Sequence, residues 1–336
     1  MEGEQDIKSE CGGDHGPTIE SSMYYLDRVP LYDTEKPYSM RYLPEEDIPQ
    51  SNYVKVKHPI SVRSIREPGA GPFRIEQCGF QIINIHSKLT YDEFWDNERV
   101  QSVYIPEVKQ ALKLETGAKY VHVLDYAVRK RHESFPVSTG KEYQYDQPTA
   151  LAHIGKNYVA ERQLFCRLEV KGTDRALDFT AKEGERIVRV LFGDRAEEVL
   201  KSRWQAINVW KPIKGPLDDW PLGLCDSRSV DFAKDTIAGD IVFDDFVTEN
   251  LQIFPSPNFQ WYYVPEQNTW EALMFKSADS DETAVPGCPH SGFHNPHARK
   301  GNLRESLDCR AFVFYADLEE YPPIVGDVFQ AKSHML

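Results

Sequence analysis

The apolar positions follow two regimes along the chain. Helical spacing occurs in patches up to about residue 200; beyond it, short aromatic and β-branched runs alternate with turn residues. Thr90 and Glu93 have the spacing of a capping box at the start of YDEFWDNERV, which predicts a helix there. Pro106 opens a second helix over PEVKQALKLET, in which Val108, Ala111, Leu112 and Glu115 keep the period until Gly117 closes it. Asp194 and Glu197 start a third ahead of Val199 and Leu200, and it delivers the chain into the alternating segment WQAINVW, residues 204–210. From there PLGLCD, DIVF, FQWYYV, ALMFKS and SLDCRAFVFY read as strands separated by Pro, Gly or Asp. The pattern predicts a mainly β fold, a sandwich or barrel with flanking helices. Residues 1–20 lack periodicity and read as a mobile tail, and the Pro- and Tyr-rich stretch to about residue 75 as extended segments and turns. Residues 21–336 then form a single domain.

Composition narrows the class. The 336 residues are 40% apolar and 27% charged, enough for a sizeable core. Thirty-nine Lys and Arg against 53 Asp and Glu give a net charge of −14, which argues against nucleic acid or an anionic membrane as partner. The longest apolar run, Ala311 to Ala316, is far below the roughly 18 residues of a membrane span. An N-terminus opening MEGEQDIKSECGG lacks the basic and apolar regions of a secretory signal, so a cytoplasmic protein is expected. The six cysteines contain no CxxC, which gives a disulfide framework little support.

The densest set of ligating side chains is Cys288, His290, His294 and His297. A single cysteine with histidines at mixed spacing and no second Cys-rich half argues against structural zinc. A polar loop, or His290 as one member of a distributed metal site, are the other readings. Non-haem Fe(II) oxygenases hold iron with two His and one carboxylate, and the first pair usually comes as His-x-Asp, because residues i and i+2 of a strand face one side. Here Ala152-His153-Ile154 is followed 23 residues later by Asp178-Phe179-Thr180; with 155–177 lifted out, the text becomes Ala-His-Ile-Asp-Phe-Thr. In RESLDCRAFVFY, Arg304, Ser306, Asp308 and Arg310 share one strand face. A guanidinium there suits a carboxylate through a bidentate pair, although the face also fits simple solvation. In WQAINVW, Asn208 lies with Trp204 and Trp210 on one face; it either lines a pocket or makes a structural hydrogen bond. No Walker A, HExxH, GxSxG or complete dinucleotide fingerprint occurs.

Several blocks recur in order: VRKRHESFP, HI followed after the interruption by DFT, RWQAINVWKPIKGPLDDWPLGLCDSRSVD, WYYVPEQ, LMFKSADSDETAVPGCPHSGF and RESLDCRAFVFY. Over residues 75–316 the chain resembles the AsaB-type hydroxylase/desaturase family, which includes the fungal gibberellin desaturase and relatives of the cephem methoxylase. The resemblance implies a double-stranded β-helix, a jelly roll of the cupin-like kind, using Fe(II), 2-oxoglutarate and dioxygen to hydroxylate or desaturate a small-molecule secondary metabolite. It implies His153, Asp178 and His290 as iron ligands, Arg304 and then Arg310 as anchors for 2-oxoglutarate, and Asn208 beside them. Trp204, Trp210, Trp261 and Tyr262 are the expected pocket walls. Family members keep His-x-Asp contiguous, so the atypical insert 155–177 is either a retained intron, opening on the Gly-Lys that a splice donor can encode, or a genuine loop. The rival function is a metal-free or inactive β-helix protein that binds a natural-product intermediate, because the insert splits the ligand pair.

Overall fold

The computed structural model describes residues 18–45, 47–137, 143–155, 181–243, 247–318 and 329–330. Asp178 and all of the insert except Gly155 lie outside the described residues, as does most of the N-terminal tail.

Among the described residues, fifteen strands follow in chain order: β1 (Ile19–Leu26), β2 (Tyr38–Met40), β3 (Lys55–Ser64), β4 (Phe80–Asn84), β5 (Tyr120–Lys130), β6 (His153–Ile154), β7 (Trp204–Pro212), β8 (Leu222–Cys225), β9 (Thr236–Val242), β10 (Val247–Ile253), β11 (Trp261–Tyr263), β12 (Glu271–Asp279), β13 (His290–Gly292), β14 (Glu305–Phe314) and β15 (Phe329–Gln330). They form a nine-stranded sheet, β1-β3-β11-β8-β13-β6-β10-β9-β2, and a six-stranded sheet, β15-β5-β14-β7-β12-β4. The connections are mostly crossovers between antiparallel neighbours, the topology of a jelly roll.

Strand alternation explains how the six-stranded sheet is covered on both sides. The odd positions of β7 and β14 (Ile207, Val209, Leu307, Cys309, Ala311 and Val313) pack under the helix Ile105–Thr116, which buries Ile105, Val108 and Leu112 against them. Each Ile, Val or Leu among them stabilises the fold by about 2 kcal/mol when fully buried. On the opposite face, Trp204, Ala206, Phe312 and Phe314 are covered by Ile187, Val188, Leu191 and Phe192 of the helix Ala181–Phe192. Asn208, Trp210, Asp308 and Arg310, further along the same face, line a cavity shared with His153 and His290 of the larger sheet.

The expected helices are partly redrawn. The Thr90–Glu93 box forms, with the Glu93 carboxylate accepting from the Thr90 amide at 2.9 Å, but it opens only the 3₁₀ turn Asp92–Trp95. Asp96 is extended and its carboxylate accepts from the Glu98 and Arg99 amides, so it starts a second helical run of its own. That run passes through a π-helical stretch, Val100–Tyr104, before Pro106, so Pro106 continues a helix rather than opening one; Gly117, at φ 71°, ends it. The short helix Ala196–Val199 stands where Asp194 and Glu197 placed it, preceded by Ala181–Phe192. The Pro-rich N-terminal stretch, read only as extended, supplies β1, β2 and β3.

Candidate functional site

Two short strands bring the histidines together. His153 on β6 and His290 on β13 are register partners across an antiparallel pair, with ring centroids 4.5 Å apart at 54°. Each ring is held in the same way: His153 Nδ1 donates to the Leu151 carbonyl at 2.7 Å, and His290 Nδ1 to the Cys288 carbonyl at 3.0 Å. A carbonyl can only accept, so each Nδ1 carries a proton, and in the neutral ring that is the tautomer whose Nε2 can bind a metal. Phe275 of β12 packs on His290, ring centroids 4.5 Å apart. His294 and His297 are exposed, which removes the compact zinc reading of this loop. Among the described residues no group of three His, Cys, Asp or Glu could hold a metal. The described chain thus presents two nitrogen donors of the expected set, with the carboxylate residue outside it.

Arg304, just ahead of β14, is 3% exposed. Its Nη1 donates to the Trp220 carbonyl at 2.9 Å, its Nε to Ser306 Oγ at 3.3 Å, and its guanidinium stacks 4.7 Å from the Trp210 ring. No carboxylate ion-pairs with it among the described residues. Burial pushes this guanidinium down to about 9, and Arg129 adds repulsion of like charge, while Asp308 and Asp219 counter it. An unpaired cation in so dry a place is costly unless an anion joins it. Among the described residues, the Trp210 Nε1 donor is also buried without an acceptor. Arg310 differs: its Nε donates to Asp125 Oδ1 at 2.7 Å and its Nη2 to Oδ2, so its fork is engaged within the protein. Asn208 lines the cavity and takes a hydrogen bond from Ser277 Oγ at 2.7 Å, combining both roles the sequence left open.

Of the expected walls only Trp210 lines this cavity. Trp204 is covered by the helix Ala181–Phe192, Trp261 packs with Tyr25 and Phe259, and Tyr262 packs with Phe73. Strand parity puts Trp204 on the right face, but too far along the strand. Sequence reasoning also left Asp125, Arg129 and Phe275 out of the cavity lining. For Asp125 and Arg129 the signal was the long run YVHVLDYAVRK, in which two charges interrupt an apolar strand.

In this jelly roll two cross-strand imidazoles share a cavity with a buried arginine that has no carboxylate partner among the described residues, an arrangement that fits an oxidoreductase. The chain belongs to the family described as oxidoreductase/YMDC permease-like domain, whose model matches residues 23–173 and 175–314. It is 26% identical over 297 residues to the alpha-ketoglutarate-dependent dioxygenase tstK of Talaromyces stipitatus, spanning 84% of this chain and 98% of that protein. It is 27% identical to the hydroxylase/desaturase efuI of Hormonema carpetanum, spanning 78% and 85% of the two chains. In fold it is similar to the solved iron and alpha-ketoglutarate-dependent endoperoxidase NvfI, with a TM-score of 0.71 at 22% identity over 89% of this chain and 99% of that one. The expected jelly roll and the likeness to hydroxylase/desaturases are both borne out.

Proposed function

We propose that this chain is a non-haem Fe(II)- and 2-oxoglutarate-dependent dioxygenase that hydroxylates or desaturates a small-molecule secondary metabolite. The reading rests on one arrangement: two imidazoles oriented through their Nδ1 hydrogen bonds across a strand pair, with the Arg304 guanidinium, which has no carboxylate partner among the described residues, lining the same cavity. The metal-free alternative finds no support among the relatives, which are dioxygenases and hydroxylase/desaturases by name.

His153 and His290 fit Fe(II) as nitrogen donors, and Asp178 is our proposed third ligand. Bound there, the iron supplies the dioxygen chemistry that couples oxidative decarboxylation of 2-oxoglutarate to oxidation of a C–H bond. The protein's own residues do the positioning. The Leu151 and Cys288 carbonyls fix the two rings, so no imidazole has to reorient when the metal enters. Arg304 and Ser306 hold the distal carboxylate of 2-oxoglutarate in a dry pocket, where a charged hydrogen bond counts for more than in water. Trp210 holds its ring over the guanidinium and carries an indole N–H, without an acceptor among the described residues, for the bound acid. Arg310 serves the cavity by keeping Asp125 neutralised rather than by meeting the co-substrate. We read residues 21–336 as one catalytic domain, cytoplasmic in location; among the described residues no helix is long and apolar enough to cross a membrane.

Anaerobic titration with Fe(II) and 2-oxoglutarate tests the reading through the visible charge-transfer band of the chelate. We expect His290→Ala to abolish the band, and Arg304→Met to raise the 2-oxoglutarate needed for it by about 100-fold, the loss of roughly 3 kcal/mol for a buried charged pair. A band in the full chain means that the ligand set assembles with 155–177 in place. A band only after deletion of 155–177 means that the segment interrupts it. No band in either form sinks the proposal.

A further inference from the structure

A second, larger cavity of about 600 Å³ lies against the first. Gly292 lines both, and a Cβ at this position would stand 3.2 Å from Arg304 Nη1 and from the Thr149 carbonyl. Asp219 also joins them, accepting from the Arg304 amide at 2.8 Å and from the Arg131 guanidinium at 2.6 and 3.0 Å. One wall of the larger cavity is aromatic. Trp220 is held at φ 45°, a left-handed conformation that is costly for a bulky side chain and that the surroundings must impose. Its carbonyl accepts from Arg304, while its ring meets Phe135 edge-on at 4.8 Å and His294 at 6.0 Å. The strained residue thus serves both cavities at once.

The polar lining is cationic: Lys57, Arg131, Arg299 and Lys300 stand against Glu133 and Asp219, on a chain whose net charge is −14. Arg131 is held by Asp219 and Arg299 by Asp218, the latter at 2.5 Å. Lys57 and Lys300 are exposed on the lining, and neither ion-pairs with a carboxylate among the described residues.

We propose that this larger cavity receives the molecule to be oxidised, and that this substrate is a multi-ring, mainly apolar compound bearing an acidic group. Its rings lie on the Phe135–Trp220 wall, and its anion is read by Lys57 and Lys300. Cavities of roughly 300–1,000 Å³ suit ligands of that size, and convergent charges on an apolar wall fix their orientation. The inference rests on the oxygenase reading and adds to it the class of substrate.

Two fluorescent probes that share one aromatic frame test it on the full chain: anilinonaphthalene sulfonate, an anion, and uncharged phenylnaphthylamine. The sulfonate should bind about fivefold tighter than the amine, the contribution of two partly exposed ion pairs. Lys57→Met with Lys300→Met should erase the preference and leave the phenylnaphthylamine affinity unchanged; Lys57→Glu with Lys300→Glu should reverse it. Equal binding of the two probes, or a preference that survives the double methionine substitution, overturns the proposal. The iron–2-oxoglutarate band, recorded on the same preparation, separates the two claims. A band without probe preference refutes the substrate class alone, whereas probe preference with no band in either the full chain or the form lacking 155–177 refutes the oxygenase reading and leaves an anion-binding cavity.

Discussion

Lys211 is the least expected of the buried charges. It lies on the outer face of β7, 2% exposed, with its ammonium 4.9 Å from the Phe94 ring centre and 5.2 Å from that of Tyr104. Burial pushes the amine down to about 8, opposed by the Glu107 carboxylate. Because the folded value lies below the ordinary 10.5, the unfolded chain binds more protons between the two values, and stability rises with pH across that window. Lys211→Met should therefore stabilise the protein by about 2 kcal/mol at about pH 7, after allowing about 1 kcal/mol for the lost cation–π contacts. The gain should shrink toward zero by about pH 10.5, which urea unfolding at both ends of the window measures. The contrast with the residues of the first cavity shows what a sequence carries at this scale. His153, His290 and Arg304, which line one cavity, were legible through the family resemblance carried by the ordered blocks. Lys211 was not, since alternation places it opposite Trp210 but says nothing of a helix lying over that face.

At the scale of elements, the helix Ala181–Phe192 acts as a plug across the inner face of the smaller sheet, and Gly184 sets how closely it sits. A Cβ there would run into the Trp204 ring. In an exposed helix, Gly→Ala typically gains about 1 kcal/mol. Here Gly184→Ala should instead cost about 1–3 kcal/mol through overpacking, read as a lower melting temperature with the helical circular dichroism retained. The apolar set Ile187, Val188, Leu191 and Phe192 has clear helical spacing, yet the segment follows the insert and opens on the charged, glycine-bearing AKEGER, so nothing marks its start. β5 was equally hard to see: a strand buried on both faces shows no alternation. The strands that were legible, such as β7 and β14, carry aromatic and β-branched runs bounded by turn residues.

Across the whole molecule, one ionic cluster ties β7, β12 and the turn at Glu76 together. Asp279 accepts from Lys276 Nζ at 2.6 Å, from Arg203 at 2.6 and 3.0 Å and from Gln205 at 2.9 Å, and Arg203 also reaches Glu76 at 2.7 Å. Burial pushes the Asp279 carboxyl up, but the hydrogen bonds from Arg203 and Lys276 outweigh it and hold it at about 2. With the folded value below the ordinary 3.8, the contribution is complete above about pH 4 and is lost as pH falls through about 2. Asp279→Asn should cost about 3 kcal/mol at neutral pH by leaving the buried Lys276 ammonium with only the half-exposed Glu76 carboxylate, 3.1 Å away, and should flatten the acid limb of the unfolding curve. The overall architecture was legible from the run of strands and the ordered blocks. The interruption 155–177 between His153 and Asp178, our proposed ligands, was plain as well, whereas the sharing of one sheet face between a helical plug and a cavity depends on contacts between distant segments. The four described thiols belong to this global scale too. Cys78, Cys225, Cys288 and Cys309 are buried, and burial raises all four, Cys225 to about 12, so almost no thiolate is present in the folded state. Alkylation of these four sulfurs therefore waits on opening of the structure, and the order in which they are modified, Cys288 beside the histidine pair against Cys309 in the opposite sheet, becomes an internal clock for which half of the barrel comes apart first.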